Sequence, residues 1–299
     1  MPLKVLPSPP LLDRHPSGAQ GIPLRLILVV PFVLQIFAAV GLTGYFSFRN
    51  GQKAIDDLAV QLQKEASAQV EQRLDSYLEL PVNLTHMNTD AIELGLLNVK
   101  DYKTSGHYFW KQIQHWQEVG YISYTLASGE NVGAGRWLED DSITIDETSA
   151  ETGWKSNTYA TDSQGNRGEV VDDTDYDPFS EPWYINTVKA KHPMWNKVYA
   201  WDGFPSIHSI SYSEPLINKD RVVEGIVSVD LLLSGISELL RQIDLSPSAK
   251  IVVLERDGNV IASSNAEPLY RTIAGETERL NISESRDPAL KAAVQELQG

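Results

Sequence analysis

The chain has 299 residues, seven tryptophans, no cysteine and a formal net charge of −15. Apolar residues make up 42% of it, which is typical of a globular protein and excludes intrinsic disorder of the whole chain. The lack of cysteine excludes a disulfide framework and a Cys-ligated zinc or iron–sulfur site. An acidic protein repels a phosphate backbone, so we expect no nucleic-acid partner.

The first feature along the chain is an uncharged, apolar segment between Arg25 and Arg49. About 20 such residues cross the hydrocarbon core of a bilayer. We therefore predict a transmembrane helix at 24–48 after a short leader at 1–23. A buried core helix would need a large surrounding core, and a cleaved signal peptide would have a shorter apolar region and a shorter leader.

Charge does not set the membrane orientation of this segment. Arg14 and Arg25 before it are balanced by Arg49 and Lys53 after it. The leader is Pro-rich and too short to fold, whereas the acidic remainder is long. We therefore expect the leader in the cytoplasm and the body outside.

A long helical pattern follows the apolar segment. Gln52 to Leu80 contains neither Gly nor Pro, and its apolar residues recur every three or four positions. We predict a stalk helix that is continuous with the membrane helix and ends at Pro81. Its apolar stripe, from Ile55 to Leu78, packs either on the chain's own domain or on a second copy, and both can hold on different turns. With two shorter predicted helices, at 83–97 and 102–119, the helical region occupies 49–119.

From Gly120 the pattern changes to short strands separated by turns. Hairpins with helices set apart indicate an α+β fold with an antiparallel sheet. The predicted strands are 121–127, 131–137, 142–145, 157–160, 168–171, 197–201, 206–213 and 222–229, and the predicted helices are 181–189 and 231–243.

A second strand–turn–strand at 254–260 echoes the one at 126–132. It predicts the start of a second lobe, 246–299, after a first lobe at 120–245. Beyond Ser263 we expect a helical tail and no further strands. Because an independent sheet normally needs three or more strands, the second lobe should be incomplete. We expect a second membrane helix and an output domain to follow it.

The sequence shows no pattern typical of a catalytic or metal site. No two of the six histidines have the i,i+4 spacing of a metal pair on a helix. The run Asp172 to Asp177 begins like a calcium loop, but Pro178 replaces the required Gly and Tyr184 the bidentate Glu. We predict no catalytic residue, no metal and no cofactor.

Aromatic and polar residues are concentrated between Tyr176 and Asp230. Rings with a polar group, placed near carboxylates, suit the wall of a small-molecule pocket. Core packing is the alternative for each of them. The members are Tyr176, Trp183, Tyr184, Trp195, Tyr199, Trp201, Asp202 and Tyr212.

These segments resemble double Cache (dCache) sensor domains, which have PAS-like lobes. The resemblance is carried by the membrane-continuous helix, the Asp177–Tyr184 segment and the Gly225–Leu231 segment, in that order. Residues 30–35 and 46–52 look like the N-termini of bacterial transmembrane hybrid histidine kinases and adenylate cyclases. The resemblance implies a homodimer in the inner membrane whose periplasmic distal lobe binds a small ligand.

The same resemblance implies the pocket residues. By position, Trp183, Tyr184, Tyr199 and Asp230 would line the pocket, and we add the neighbouring Asp202 and Glu181. Amino-acid-binding members have Arg where this chain has Glu181, so the carboxylates favour a cation or an amine, attracted also by the ring faces. Two alternatives stay open: Lys189 and Lys197 could restore an anion site, and Glu181 could cap its helix.

The sequence therefore predicts the extracytoplasmic small-molecule sensing part of a membrane signalling receptor with a histidine kinase or nucleotide cyclase output. One alternative is a membrane-anchored exported hydrolase, which would need a nucleophile–base pair or a metal. Another is an adhesion or scaffold module, which would need no pocket.

Overall fold

The structure is a computed structural model that describes residues 23–136, 141–201, 204–243, 249–273 and 276–298. The chain divides into two compact units, Met1–Glu65 and Ala66–Gly299. The first helix, α1 (Leu24–Glu93), contributes to both units. The predicted lobe boundary at 245 lies outside the described residues.

In the first unit, α1 carries the apolar segment. It contains a window of mean hydropathy 2.4 that is long and apolar enough to cross a membrane, and none of that window is buried. Ile55, Leu58 and Leu62 of the following turns are also exposed. The helix predicted at 24–48 and its continuation are therefore present.

In the second unit, α1 passes through Pro81, so the predicted end at that residue is wrong. Proline removes one backbone donor from a helix interior, but packing offsets this cost, because Pro81, Leu84 and Asn88 are all buried. The helix ends at Glu93, and Gly95 follows in the turn with a φ of 73°, which glycine adopts without strain. The backbone N–H groups of the next two residues donate to the carbonyl of Ala91, as in a helix C-cap.

A nine-stranded sheet forms the centre of the second unit, and all its strand pairs are antiparallel, which confirms the α+β prediction. The strand order is β5-β4-β3-β2-β1-β9-β8-β6, and β7 also pairs with β8. The strands are β1 (Val119–Leu126), β2 (Asn131–Arg136), β3 (Ile143–Thr148), β4 (Ser156–Thr161), β5 (Arg167–Thr174), β6 (Met194–Trp195), β7 (Tyr199–Trp201), β8 (Phe204–Ile217) and β9 (Val223–Leu232). The helices beside them are α2 (Tyr102–His115), α3 (Pro182–Ala190) and α4 (Leu233–Arg241).

The two faces of this sheet differ in chemistry, because alternate residues of a strand point to opposite sides. Ile122 of β1, Ile145 of β3 and Val229 of β9 join one core cluster with Phe109 of α2 and Leu84 of α1. The opposite face, called the polar face here, carries hydroxyl and carboxyl groups. Its members on β1, β3 and β9 include Tyr121, Ser123, Thr125, Thr144, Asp146, Ser228 and Asp230.

A second core cluster joins α1 to α4. Tyr77 of α1 is buried with Leu231, Leu233, Ile236 and Leu240, and Val70, Leu74 and Leu78 pack against this cluster. The later turns of the predicted stripe thus pack on the chain's own domain.

The end of the chain forms two hairpins and a helix. The strands are β10 (Val252–Leu254), β11 (Val260–Ser263), β12 (Tyr270–Ile273) and β13 (Glu276–Arg279), followed by α5 (Pro288–Gln298). The expectation of no strand after Ser263 is therefore wrong. The segment Glu276–Arg279 has no apolar residue, so hydrophobic alternation does not mark it.

Candidate functional site

A cavity of about 380 Å³ lies over the polar face. This volume is in the range of small-molecule pockets. Its lining comes from β1–β5, β7, β8, β9 and the start of α3. Its acidic and aromatic lining residues include Tyr121, Asp146, Asp172, Tyr176, Glu181, Trp183, Tyr199, Trp201 and Asp230.

Four of the six predicted pocket residues line this cavity: Glu181, Trp183, Tyr199 and Asp230. Tyr184 is not among the lining residues. Its ring packs instead beside Phe179, with ring centroids 5.0 Å apart. Asp202 lies outside the described residues, so its place in the pocket stays a prediction.

The Asp177–Tyr184 segment positions its side chains by local capping. The carboxylate of Asp177 accepts a hydrogen bond from the backbone N–H of Phe179, 3.0 Å away, at the start of a short 3-10 helix. Pro182 then opens α3 at a position where its missing N–H costs nothing. Trp183 follows on the first turn and is buried against Ile226 of β9.

Glu181 holds the N-cap position of α3. Its side chain makes no capping hydrogen bond there. Glu181 is therefore at the helix N-terminus, as that alternative has it, but it caps the helix by position and charge and not by a side-chain hydrogen bond, and it also lines the cavity.

Asp230 is the most enclosed of the predicted pocket residues that the structure describes. Its Oδ2 accepts hydrogen bonds from the hydroxyl of Tyr199, at 2.6 Å, and from Ser209 Oγ, at 3.3 Å. Trp201 Nε1 donates in turn to Ser209 Oγ at 2.9 Å. Burial raises the pKa of Asp230 to about 6, and the hydrogen bonds from Tyr199 and Ser209 limit this rise.

Asp146 supplies a second buried carboxyl group in the cavity, which was not predicted from the sequence. Burial raises its pKa to about 6, whereas hydrogen bonds from Thr158 and Tyr121 act in the opposite direction. Nearby Asp172 adds to the rise by charge repulsion. The sequence contained one signal for this site: in β3, Asp146 and Thr144 alternate with the apolar residues Ile143 and Ile145, so they face the opposite side of the sheet.

Tyr121 belongs to β1, and its side chain lies across β2, where Gly133 and Gly135 leave room for the ring. A Cβ atom on Gly133 would lie 2.5 Å from the Tyr121 hydroxyl, and one on Gly135 would lie 2.9 Å from the ring. The ring is also 6.0 Å from that of Trp201, edge to face. Burial raises the pKa of Tyr121 well above its usual value, so its hydroxyl remains a hydrogen-bond donor.

The charged groups of the described cavity lining are mainly acidic. They comprise Asp146, Asp172, Glu181 and Asp230, with Arg136 as the basic member. The guanidinium of Arg136 is bound to Asp141 and to the backbone carbonyl of Ile113 in α2. Lys189 and Lys197 are absent from the described lining.

Residues 120–238 match the family model described as "Methyl-accepting chemotaxis protein-like, first PDC sensor domain". The matched segment contains every described residue that lines the cavity. It identifies the part of the chain that carries the cavity as a sensor domain of the type found in signal-transducing receptors, as the sequence predicted. No curated protein sequence matches the chain.

Solved structures that match part of the chain include two chemoreceptor domains and a chemotaxis protein. The ligand-binding domain of the Campylobacter jejuni chemoreceptor Tlp3 with L-valine is 14% identical, with a TM-score of 0.48 over 79% of each chain. The ligand-binding domain of the Pseudomonas aeruginosa PAO1 amino acid chemoreceptor PctC with GABA is also 14% identical, with a TM-score of 0.42 over 66% of this chain and 73% of that one. Methyl-accepting chemotaxis protein X is 12% identical, with a TM-score of 0.48 over 81% and 82%. Valine and GABA are ligands of those proteins.

Proposed function

We propose that this chain is the ligand-sensing part of a membrane-anchored bacterial receptor, with its body in the periplasm and α1 in the inner membrane. The main support is the cavity over the polar face, which lies entirely within the segment that matches a PDC sensor domain. The apolar segment of α1 supplies the anchor. In finer terms, we propose a double Cache sensor with a histidine kinase or nucleotide cyclase output.

The lining favours binding over hydrolysis. The described lining of the cavity includes serines but no histidine, so it contains no Ser–His pair. The described residues also bring together no group of three His, Asp or Glu residues that could hold a metal ion. An adhesion module, for its part, needs no cavity with buried carboxyl groups.

We propose further that the ligand is an amine or another small cation. Asp230 supplies the negative charge, and Trp183, Tyr199 and Trp201 supply aromatic surface beside it. A cation over an aromatic face gains about 0.5–2 kcal/mol. An anionic ligand would instead need a basic group such as a bidentate Arg, and the basic residue of the described lining, Arg136, is already paired.

Thermal-shift and calorimetric screening of the full chain in lipid nanodiscs tests both statements. We expect primary amines to stabilise the protein and Asp230→Ala to abolish the effect. Asp220→Ala is the matched control, because Asp220 is an exposed acid in the turn between β8 and β9. Stabilisation by dicarboxylates alone, unchanged in Asp230→Ala, would reverse the charge assignment. Turnover of a panel compound would favour the hydrolase, and no response to any small molecule would favour the adhesion module.

A further inference from the structure

We infer that the cavity takes a ligand with two positive charges, held at opposite sides by Asp230 and Asp146, such as a long linear diamine. This inference rests on the proposed function and adds a second binding position to the same cavity. Asp230 carries the first position, and Asp146 carries the new one.

The strand register separates the two carboxyl groups. Asp230 on β9 is paired with Tyr121 on β1. On β1 and β2, Ser123 is paired with Gly133, which is paired with Asp146 on β3. The two aspartates are thus on the same face, three strand intervals apart. Asp146 is also two residues further along the strands than Thr144, the residue directly across from Asp230. At about 4.8 Å per interval and about 3.3 Å per residue, the Cα atoms of the two aspartates are about 16 Å apart, which is too far for one ammonium group to contact both carboxyl groups.

The two positions have the same chemistry. Each carboxyl group is buried and accepts a hydrogen bond from a tyrosine hydroxyl, Asp230 from Tyr199 and Asp146 from Tyr121. Neither forms an ion pair with a lysine or arginine of the described residues. Arg167 attracts Asp146 electrostatically, but its ion pair is with Glu147. Hydrogen bonds to the ionised form and the lack of a direct ion pair among the described residues make each group a receptor for a cation.

The space between the two positions suits a methylene chain. The ring of Tyr121 lies over Gly133 and Gly135, between β9 and β3, and packs against Trp201. It offers apolar surface in the middle of a cavity whose ends are polar. Allowing about 3 Å for each ammonium–carboxylate contact, the ligand's charges should be about 10–16 Å apart.

The pKa values agree with this arrangement. Burial raises the pKa of both aspartates to about 6, so both are ionised at neutral pH, and neither has a direct ion-pair partner among the described lysines and arginines. Asp172, also in the lining, adds negative charge at the Asp146 side. At the Asp146 end of the cavity, a ligand that ends in an ammonium group should therefore bind more tightly than one that ends in a methyl group.

Calorimetry on the full chain in nanodiscs tests this with three probes: octane-1,8-diamine, n-octylamine and propane-1,3-diamine. We expect the long diamine to bind at least about tenfold more tightly than octylamine, because one added charge contact is worth on the order of a factor of ten. The short diamine cannot reach both carboxyl groups and should lack this advantage. These comparisons use the unmodified chain, so they do not depend on whether a variant folds.

The variants locate the second charge. Asp146→Asn should remove the advantage of the long diamine and leave octylamine binding unchanged, whereas Asp230→Asn should weaken both. Asp220→Asn should change neither. If octylamine binds as tightly as the long diamine, or if Asp146→Asn affects both equally, the second position is refuted and the proposed amine sensor stands. If no amine binds at all, the ligand charge in the proposed function is wrong as well.

Discussion

The hydroxyl of Tyr199 donates a hydrogen bond of 2.6 Å to the buried carboxyl group of Asp230. This bond links β7 to β9 across β8 within the cavity. The next residue of β9, Leu231, faces away and is buried in the cluster that contains Tyr77 of α1. A ligand that moves Asp230 would therefore act on a strand whose following residue belongs to the same core cluster as Tyr77 of α1.

The buried charge of Asp230 should reduce the stability of the ligand-free protein. Its pKa rises from 3.8 to about 6 on folding, so the folded state binds the proton more tightly than the unfolded state. Stability from this group is therefore lost as the pH rises from about 4 to 6, by about 3 kcal/mol in total. Asp230→Asn lacks this loss, so its stability relative to the unmodified chain should increase across that window and stay constant above it. Denaturant unfolding at several pH values measures the difference, and a difference independent of pH would contradict the assignment.

Amine affinity should fall in acid. Binding needs the ionised form of Asp230, so the affinity for n-octylamine should drop by up to about tenfold per pH unit below about pH 6. Tyr199→Phe removes a hydrogen bond that favours the ionised form and should move this midpoint to higher pH. Calorimetry between pH 5 and 8 gives both midpoints. Equal midpoints would show that the hydroxyl of Tyr199 does not control the ionisation.

Gly133→Ala should destabilise the second unit and weaken ligand binding. The added methyl group would lie 2.5 Å from the Tyr121 hydroxyl and 2.8 Å from the carbonyl of Ile122, so the ring or the strand must move. Overpacking of this kind costs about 1–3 kcal/mol. Gly51→Ala is the matched control, because a Cβ there meets nothing within 4 Å and alanine favours the helix. A neutral effect of Gly133→Ala on unfolding would mean that the glycine is not required for the ring.

The sequence allowed prediction of the α+β class and most elements, because the strands from Tyr121 to Val229 alternate or form short apolar runs between turns. The end of α1 was missed, because tertiary packing of Pro81 overrides its local preference. Asp146 and Tyr121 were missed for another reason: the pocket is made by cross-strand neighbours, and the pairing of β1 with β2 and β9 is not visible in the residue order. Trp183, Tyr199 and Asp230 could be found because they lie in or near segments that carry a family resemblance.

The exposed early turns of α1 lead to the last prediction, a parallel dimer formed by these turns. Ile55, Leu58 and Leu62 continue the apolar stripe but are exposed, whereas Val70 packs on the chain's own cluster. Because the chain has no cysteine, single cysteine variants report on one position each. Leu62→Cys should form a disulfide-linked dimer in membranes on mild oxidation, since equivalent residues of a parallel helix pair come within disulfide distance. Val70→Cys should crosslink much less, because its side chain is covered within the monomer. If Leu62→Cys stays monomeric while a soluble thiol reagent labels it fully, this face of the helix does not pair with a second copy.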